Sequence, residues 1–160
     1  MPGIAPLDRR DKAWQEVKAA NPGIEEVAVF GTLDNPIANS NANQARSVLQ
    51  ANSDITVMFA PYDEFAKGVK LAVDEAGLTD QIDIYSADVS TADISLMRES
   101  GSAWAATVAT NPAVVGEVCV RSLAIMLTGG DPGSSVIVPP TLITQSFLNE
   151  QDIKLSLIHI

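Results

Sequence analysis

The stretch "ITVMFAPYDEFAKGVKLAVDEAG", residues 55–77, decides the fold. Its first six residues form a nearly continuous apolar run, of the kind buried on both faces of a parallel sheet. Pro61, Tyr62, Asp63 and Glu64 interrupt that run. Beyond them Phe65, Val69, Ala72, Val73 and Ala76 recur at helical spacing and share one face. Gly77 supplies the stop. Strand, polar joint and amphipathic helix together make one βα unit.

The same rhythm runs outward in both directions. Upstream, "RRDKAWQEVKAA" (9–20) predicts a helix with Trp14 and Val17 facing inward, stopped by Asn21-Pro22-Gly23. "EVAVFG" (26–31) predicts a strand and "ANQARSVLQAN" (42–52) a helix. Downstream, strands are expected at 82–87 and 103–109, each followed by a helix, near 91–100 and from Pro112 to about Leu127. "GGDPGSS" (129–135) is a turn cluster, and the two prolines of "VIVPPTLIT" (136–144) bar that extended segment from the middle of a sheet. Strands alternating with helices imply right-handed βαβ units: a doubly wound α/β domain with helices on both faces of a parallel sheet.

Composition removes several classes of function. The chain has 160 residues, 46% hydrophobic and 19% charged, which suits one ordered domain. A net charge of −10, with Arg9-Arg10 as the longest basic run, argues against nucleic acid as a partner. Cys119 is the single cysteine, so an internal disulfide and four-cysteine zinc sites are excluded; its apolar neighbours predict burial. "LSLIHI" (155–160) reads as a non-native tail, and it holds the only histidine, His159. Without an internal histidine, Ser-His and Cys-His nucleophiles have no base. No run approaches the ~18 apolar residues of a membrane span, and "MPGIAPLDRR" lacks the apolar core of a signal peptide.

In sheets of this kind ligands bind beyond the carboxyl ends of the strands. Thr32, Asp34 and Asn35 follow the first predicted strand; Pro61, Tyr62 and Asp63 the second; Asp88 the third; Thr110 and Asn111 the fourth. No glycine-rich loop follows any of them, so phosphate cradles are absent and an uncharged, polyhydroxylated ligand fits this rim better. Asp63 reads as the N-cap of its helix, and Glu64 as a solvated charge in the first turn. For Tyr62, stacking on a ligand and ordinary packing are equally open. Ser90-Thr91 can cap the next helix themselves, which frees Asp88 for a ligand. Asn111 before Pro112 is a cap and first-turn pairing. Trp14 and Trp104 read as packing residues, and Arg10 by periodicity alone as a surface charge.

Four ordered segments carry a family resemblance: "MFAPYDEFAKGVKLAVDEAGL", "IDIYSADVS", "AWAATVATNPAVVGEVCVRSLAIML" and "VIVPPTLIT". Together they resemble the type I periplasmic sugar-binding proteins of ABC transporters, whose segments read FAxNDxMAxG, VGxDG, LxATVAQxPxxxG and PxxLIT. The resemblance implies two hinged α/β lobes that clamp a sugar. Residues 1–154 then correspond to the C-terminal lobe, with 136–150 as its returning segment, and the N-terminal lobe is missing. It further implies a periplasmic or extracytoplasmic location, a membrane permease as partner, and neither cofactor, metal nor catalysis. Carried over by residue, it points to Arg10, Asn35, Tyr62, Asp88 and Thr110 as sugar contacts. Arg10 matches only part of the family's helix-start motif, Tyr62 replaces a common asparagine, and Thr110 a common glutamine. The effector domain of a lactose-repressor-type regulator shares the expected fold and stands as the alternative; a flavodoxin-like enzyme is a third, weaker reading.

Overall fold

The computed structural model describes residues 3–133 and 135–150; the tail 155–160 lies outside them. In chain order the elements are α1 (Ala5–Ala20), α2 (Ile37–Ala51), β1 (Val57–Ala60), α3 (Asp63–Ala76), β2 (Asp83–Ala87), α4 (Thr91–Met97), β3 (Trp104–Ala109), α5 (Pro112–Leu127), β4 (Thr141–Thr144) and α6 (Gln145–Glu150). The sheet order is β1-β2-β3-β4. β1, β2 and β3 pair in parallel, and β4 closes the edge antiparallel to β3. β4 begins immediately after Pro139-Pro140, as expected of residues that cannot donate to a ladder.

Strand alternation divides the sheet into two unlike faces. Met58, Ala60, Ile84, Ser86, Thr107 and Ile143 point into the core, together with the fully buried Trp104. α3 covers this side through Phe65, Ala66, Val69, Ala72 and Val73, and Gly77 ends it in the left-handed conformation at φ 68°. Buried polar groups on this face satisfy one another. The Trp104 indole donates to Ser86 Oγ at 2.9 Å, and Ser86 donates to Thr107 Oγ1 at 2.7 Å.

The other face is open. Phe59 lies opposite Tyr85, and Val108 opposite Leu142; Val57, Phe59, Tyr85 and Leu142 all stand exposed. α1 reaches this side, where Trp14 stacks on Phe59 with ring centroids 5.4 Å apart. Burial on both faces, expected for 55–60, therefore holds for one face only.

Three further expectations are corrected. Residues 24–30 join no strand ladder, so the strand predicted at 26–31 is not formed. α5 buries none of its residues, which leaves Cys119 exposed rather than packed. Val17 is also exposed, since the side of α1 that enters the core carries Leu7 instead.

Candidate functional site

Three successive strand ends meet at one arginine–aspartate pair. Pro61 follows β1, Asp88 follows β2 and Thr110 follows β3. Arg10, on the second turn of α1, grips the middle one in a fork. Its Nη1 donates to Asp88 Oδ2 at 2.7 Å and its Nη2 to Asp88 Oδ1 at 2.8 Å. Nη1 also donates to the Pro61 carbonyl at 2.6 Å, and the Thr110 hydroxyl donates to Asp88 Oδ1 at 3.3 Å.

Asp88 is held from behind as well. Its backbone N–H donates to the Val108 carbonyl at 2.9 Å, and its own carbonyl accepts from Thr107 Oγ1 at 2.7 Å. Its φ of 74° is left-handed, a region where Asp is tolerated better than most side chains. This conformation ends β2 and turns the chain toward Ser90, so a short polar residue suits the position.

The pair is partly buried, with the two side chains 24% and 27% exposed. A bidentate arginine–carboxylate contact in that setting is rigid and charge-balanced. Three of Arg10's five N–H donors are used by Pro61 and Asp88, so two remain for other acceptors. The Asp88 carboxylate keeps acceptor capacity beyond its three bonds. Side by side, spare donors and spare acceptors suit a neutral ligand whose hydroxyls both give and take hydrogen bonds.

Tyr62 borders this group. It is the N-cap residue of α3 and packs edge-on against Phe65, with centroids 5.4 Å apart. Burial, and then the negative charges of Asp63, Glu64 and Asp88, push its phenol above the usual range. The hydroxyl stays a neutral donor at ordinary pH. Of the sequence candidates, Arg10, Asp88 and Thr110 are thus bonded into one cluster, with Tyr62 beside them. Asn35 is not drawn in: it is exposed, precedes the cis-linked Pro36, and makes none of the cluster's bonds.

Behind the rim sits an acid pair that the sequence reading missed. Asp63 accepts the Glu64 N–H at 2.9 Å but makes no cap bond to the turn beyond, so the predicted capping role is corrected. Its partner is Asp93, fully buried in the first turn of α4. Ser90 and Asp93 form a reciprocal capping box, which leaves Asp88 uninvolved in capping, as expected. Asp93 Oδ1 is left with no hydrogen bond, only the Lys67 ammonium 3.2 Å away. Burial, the charge of Asp93 and a hydrogen bond to it push the Asp63 carboxyl up to about 6. Below that pH a protonated Asp63 offers the unpartnered Asp93 carboxylate a donor at the joint of α3 and α4; above it both carboxylates are charged.

The sign of the resulting pH dependence follows from linkage. A folded-state pKa raised from 3.8 to about 6 adds stability that is fully present below pH 4 and lost as pH rises through 6. Because Asp63 is partly solvated, the full shift is discounted to about 1–2 kcal/mol. Urea unfolding of the native chain and Asp63→Asn at pH 4.5 and 7 checks it, the asparagine variant removing this dependence. Identical pH profiles for the two proteins would refute the pair.

What the geometry defines is a non-covalent binding rim at the carboxyl end of a parallel sheet. It presents balanced charge and no nucleophile–base arrangement. The chain belongs to the periplasmic binding protein domain family, whose model matches residues 1–131. No curated protein sequence matches the chain. Among solved structures, the 5-methylthioribose transporter solute-binding protein of Thermotoga lettingae, in complex with 5-methylthioribose, is 38% identical with a TM-score of 0.87. That match covers 96% of this chain and 49% of that one. A sugar ABC transporter protein from Yersinia enterocolitica is 32% identical, TM-score 0.84, covering 95% and 46%. A carbohydrate transporter solute-binding protein from Agrobacterium radiobacter, in complex with D-arabinose, shares the fold at 23% identity, TM-score 0.82, covering 100% and 52%. The chain thus spans about half the length of the solved proteins it matches.

Proposed function

We propose that this chain is the ligand-contacting C-terminal lobe of the sugar-binding subunit of an ABC importer, with residues 1–154 as that lobe. The observation that carries the reading is the Arg10–Asp88 fork, set across three strand ends with donors and acceptors to spare. Its ligand is a neutral monosaccharide or a derivative of one. The relative at 38% identity is solved with 5-methylthioribose, which makes that sugar the first to try. The protein performs no chemistry: hydrogen bonds select the ligand, and closure on it is the signal to a membrane permease. The family supports an extracytoplasmic site of action, and no helix among the described residues is long and apolar enough to cross a membrane. The solved relatives are transport proteins, so the repressor-type alternative gains no support.

Titrating the isotopically labelled chain with 5-methylthioribose, D-ribose and D-arabinose, followed by amide NMR, tests the reading. One wall of a site leaves water competing for every hydroxyl, so affinity of about 1 mM, roughly 4 kcal/mol, is expected. Shifts should centre on Arg10, Tyr62, Asp88 and Thr110. Asp88→Ala should weaken binding by about 1.5–3 kcal/mol, as expected for a charged hydrogen-bond partner. Shifts elsewhere, or an Asp88→Ala titration identical to the native one, would overturn the assignment. Asn35, the remaining candidate, is tested in the same spectra.

A further inference from the structure

The hydrogen bonds behind the ligand rim form one directed chain. The Trp104 indole can only donate, and it gives its hydrogen to Ser86 Oγ at 2.9 Å. Ser86 passes its single hydrogen to Thr107 Oγ1 at 2.7 Å, and Thr107 passes its own to the Asp88 carbonyl at 2.7 Å. A carbonyl can only accept. With an obligate donor at one end and an obligate acceptor at the other, each hydroxyl has one orientation. All three donating side chains are buried. In such surroundings each bond polarises the next, and a hydroxyl with nothing to bond is costly.

A bulge in the sheet brings the chain together. One step along β2, from Ile84 to Tyr85, is matched by two along β3, from Trp104 to Ala106. Side chains alternate along a strand, so Trp104 and Thr107, three positions apart, would otherwise face opposite sides. The extra step at Ala105 turns both toward the core, Trp104 opposite Ile84 and Thr107 opposite Ser86.

The chain ends on a backbone that needs holding. Asp88 has a φ of 74°, a left-handed conformation that residues with a Cβ keep only where their surroundings impose it. Two bonds to β3 impose it. The Asp88 N–H donates to the Val108 carbonyl at 2.9 Å, a backbone bond open to any residue at 108. The Asp88 carbonyl instead takes a side-chain hydrogen, which a valine of the same shape as Thr107 cannot supply. Packing alone therefore does not call for threonine at this buried position.

We infer that Thr107 is a positioning residue of the ligand rim: its hydroxyl holds Asp88 in the conformation from which the carboxylate forks onto Arg10. It acts from beneath the rim, with Ser86 and Trp104 completing its bonding from behind. Its bearing on function rests on the Arg10–Asp88 pair being the sugar contact, but the fork itself can be observed without sugar.

The test is NMR of the labelled 160-residue chain and of Thr107→Val, Thr107→Ser and Ser86→Ala, first without ligand. A strong amide–Hα NOE within Asp88 reports its left-handed φ, and slow exchange of the Arg10 guanidinium hydrogens reports the fork. Thr107→Val should lose the first and speed the second about tenfold, the scale of one hydrogen bond. Thr107→Ser, which keeps the hydroxyl, should show both signals as in the native chain. Ser86→Ala breaks the same buried chain but spares the bond to Asp88, so it should melt earlier with both signals retained. Affinity for 5-methylthioribose should then fall about tenfold in the valine variant and recover in the serine one. A valine variant with native Asp88 and Arg10 signals overturns the inference, as does their loss in Ser86→Ala. A Thr107 hydroxyl proton in fast exchange in the native chain overturns it too, whether or not the valine variant folds. Signals lost only in Thr107→Val, in a chain that binds no sugar, support the positioning role and refute the sugar assignment alone.

Discussion

Trp104→Ala is expected to lower the unfolding free energy by about 3–5 kcal/mol, the range for removing a fully buried aromatic side chain. Trp104 opens β3, is 0% exposed, and is the largest fully buried side chain among the described residues. Its indole N–H donates to Ser86 Oγ, which in turn donates to Thr107 Oγ1. Thr107 Oγ1 is also the donor that holds the Asp88 carbonyl. Truncation therefore leaves a large cavity under β2 and unties a buried polar chain that ends at the ligand rim. Urea titrations followed by circular dichroism measure the loss. Trp14→Ala is the comparison: Trp14 is only partly buried, so its variant should lose far less. Equal losses at the two tryptophans would show that the core has been misplaced.

Gly68→Ala should destabilise by about 3 kcal/mol, at the upper end of overpacking costs. A Cβ added there would lie 2.3 Å from the Ala38 carbonyl oxygen and 2.9 Å from the Ala42 nitrogen. Both are backbone atoms of α2, so no rotamer change relieves the clash; the two helices must separate. Their seam is built for close approach, with Ala42, Ala45, Ala66 and Ala72 all fully buried. Helix propensity favours alanine over glycine by about 1 kcal/mol, so the clash must exceed that gain. Gly116→Ala in α5 isolates the propensity, because a Cβ there meets nothing within 4 Å. It should stabilise by about 0.5–1 kcal/mol. Thermal melts of the two variants should thus move in opposite directions. A Gly68→Ala protein as stable as the native chain would contradict the tight α2–α3 contact.

The two experiments probe different levels of the same structure. Trp104 reports on the sheet that positions Asp88, and Gly68 on the helix pair that positions Tyr62 and the acid pair behind it. Asp88→Ala also unpairs Arg10 and puts alanine at a left-handed position, so its binding defect is read beside its own urea melt. Asp63→Asn combines both concerns, since it removes a carboxyl that faces the charge of Asp93 directly behind the rim.

Local chemistry made much of this protein legible in its sequence. Periodicity placed α3, β2, β3 and α5, because amphipathic and apolar runs are local patterns with local causes. Gly77, Ser90, Asn111 and Pro112 marked helix ends, because caps act within one turn. Pro139-Pro140 sent the last strand to an edge, because proline lacks the donor a central strand needs. The strand-end rule reached Asp88 and Thr110, and the four motif segments pointed to the family that residues 1–131 match.

Tertiary structure alone decided the rest. Asp63 looked like a cap, yet its carboxyl turns to Asp93, thirty positions along the chain, and no local pattern encodes that partner. Cys119 sits in an apolar helical pattern, but a pattern states only which face could be buried; among the described residues none of α5 is. Residues 26–31 carry strand character, but a strand exists only when a neighbour accepts its hydrogen bonds, and the adjoining place in the sheet is open. Periodicity alone made Arg10 a surface charge and the family resemblance made it a sugar contact; its bonds to Pro61 and Asp88, 51 and 78 positions away in sequence, came only with the fold. Short-range order is written residue by residue; which distant groups share a proton, a guanidinium or a sheet edge is set by packing.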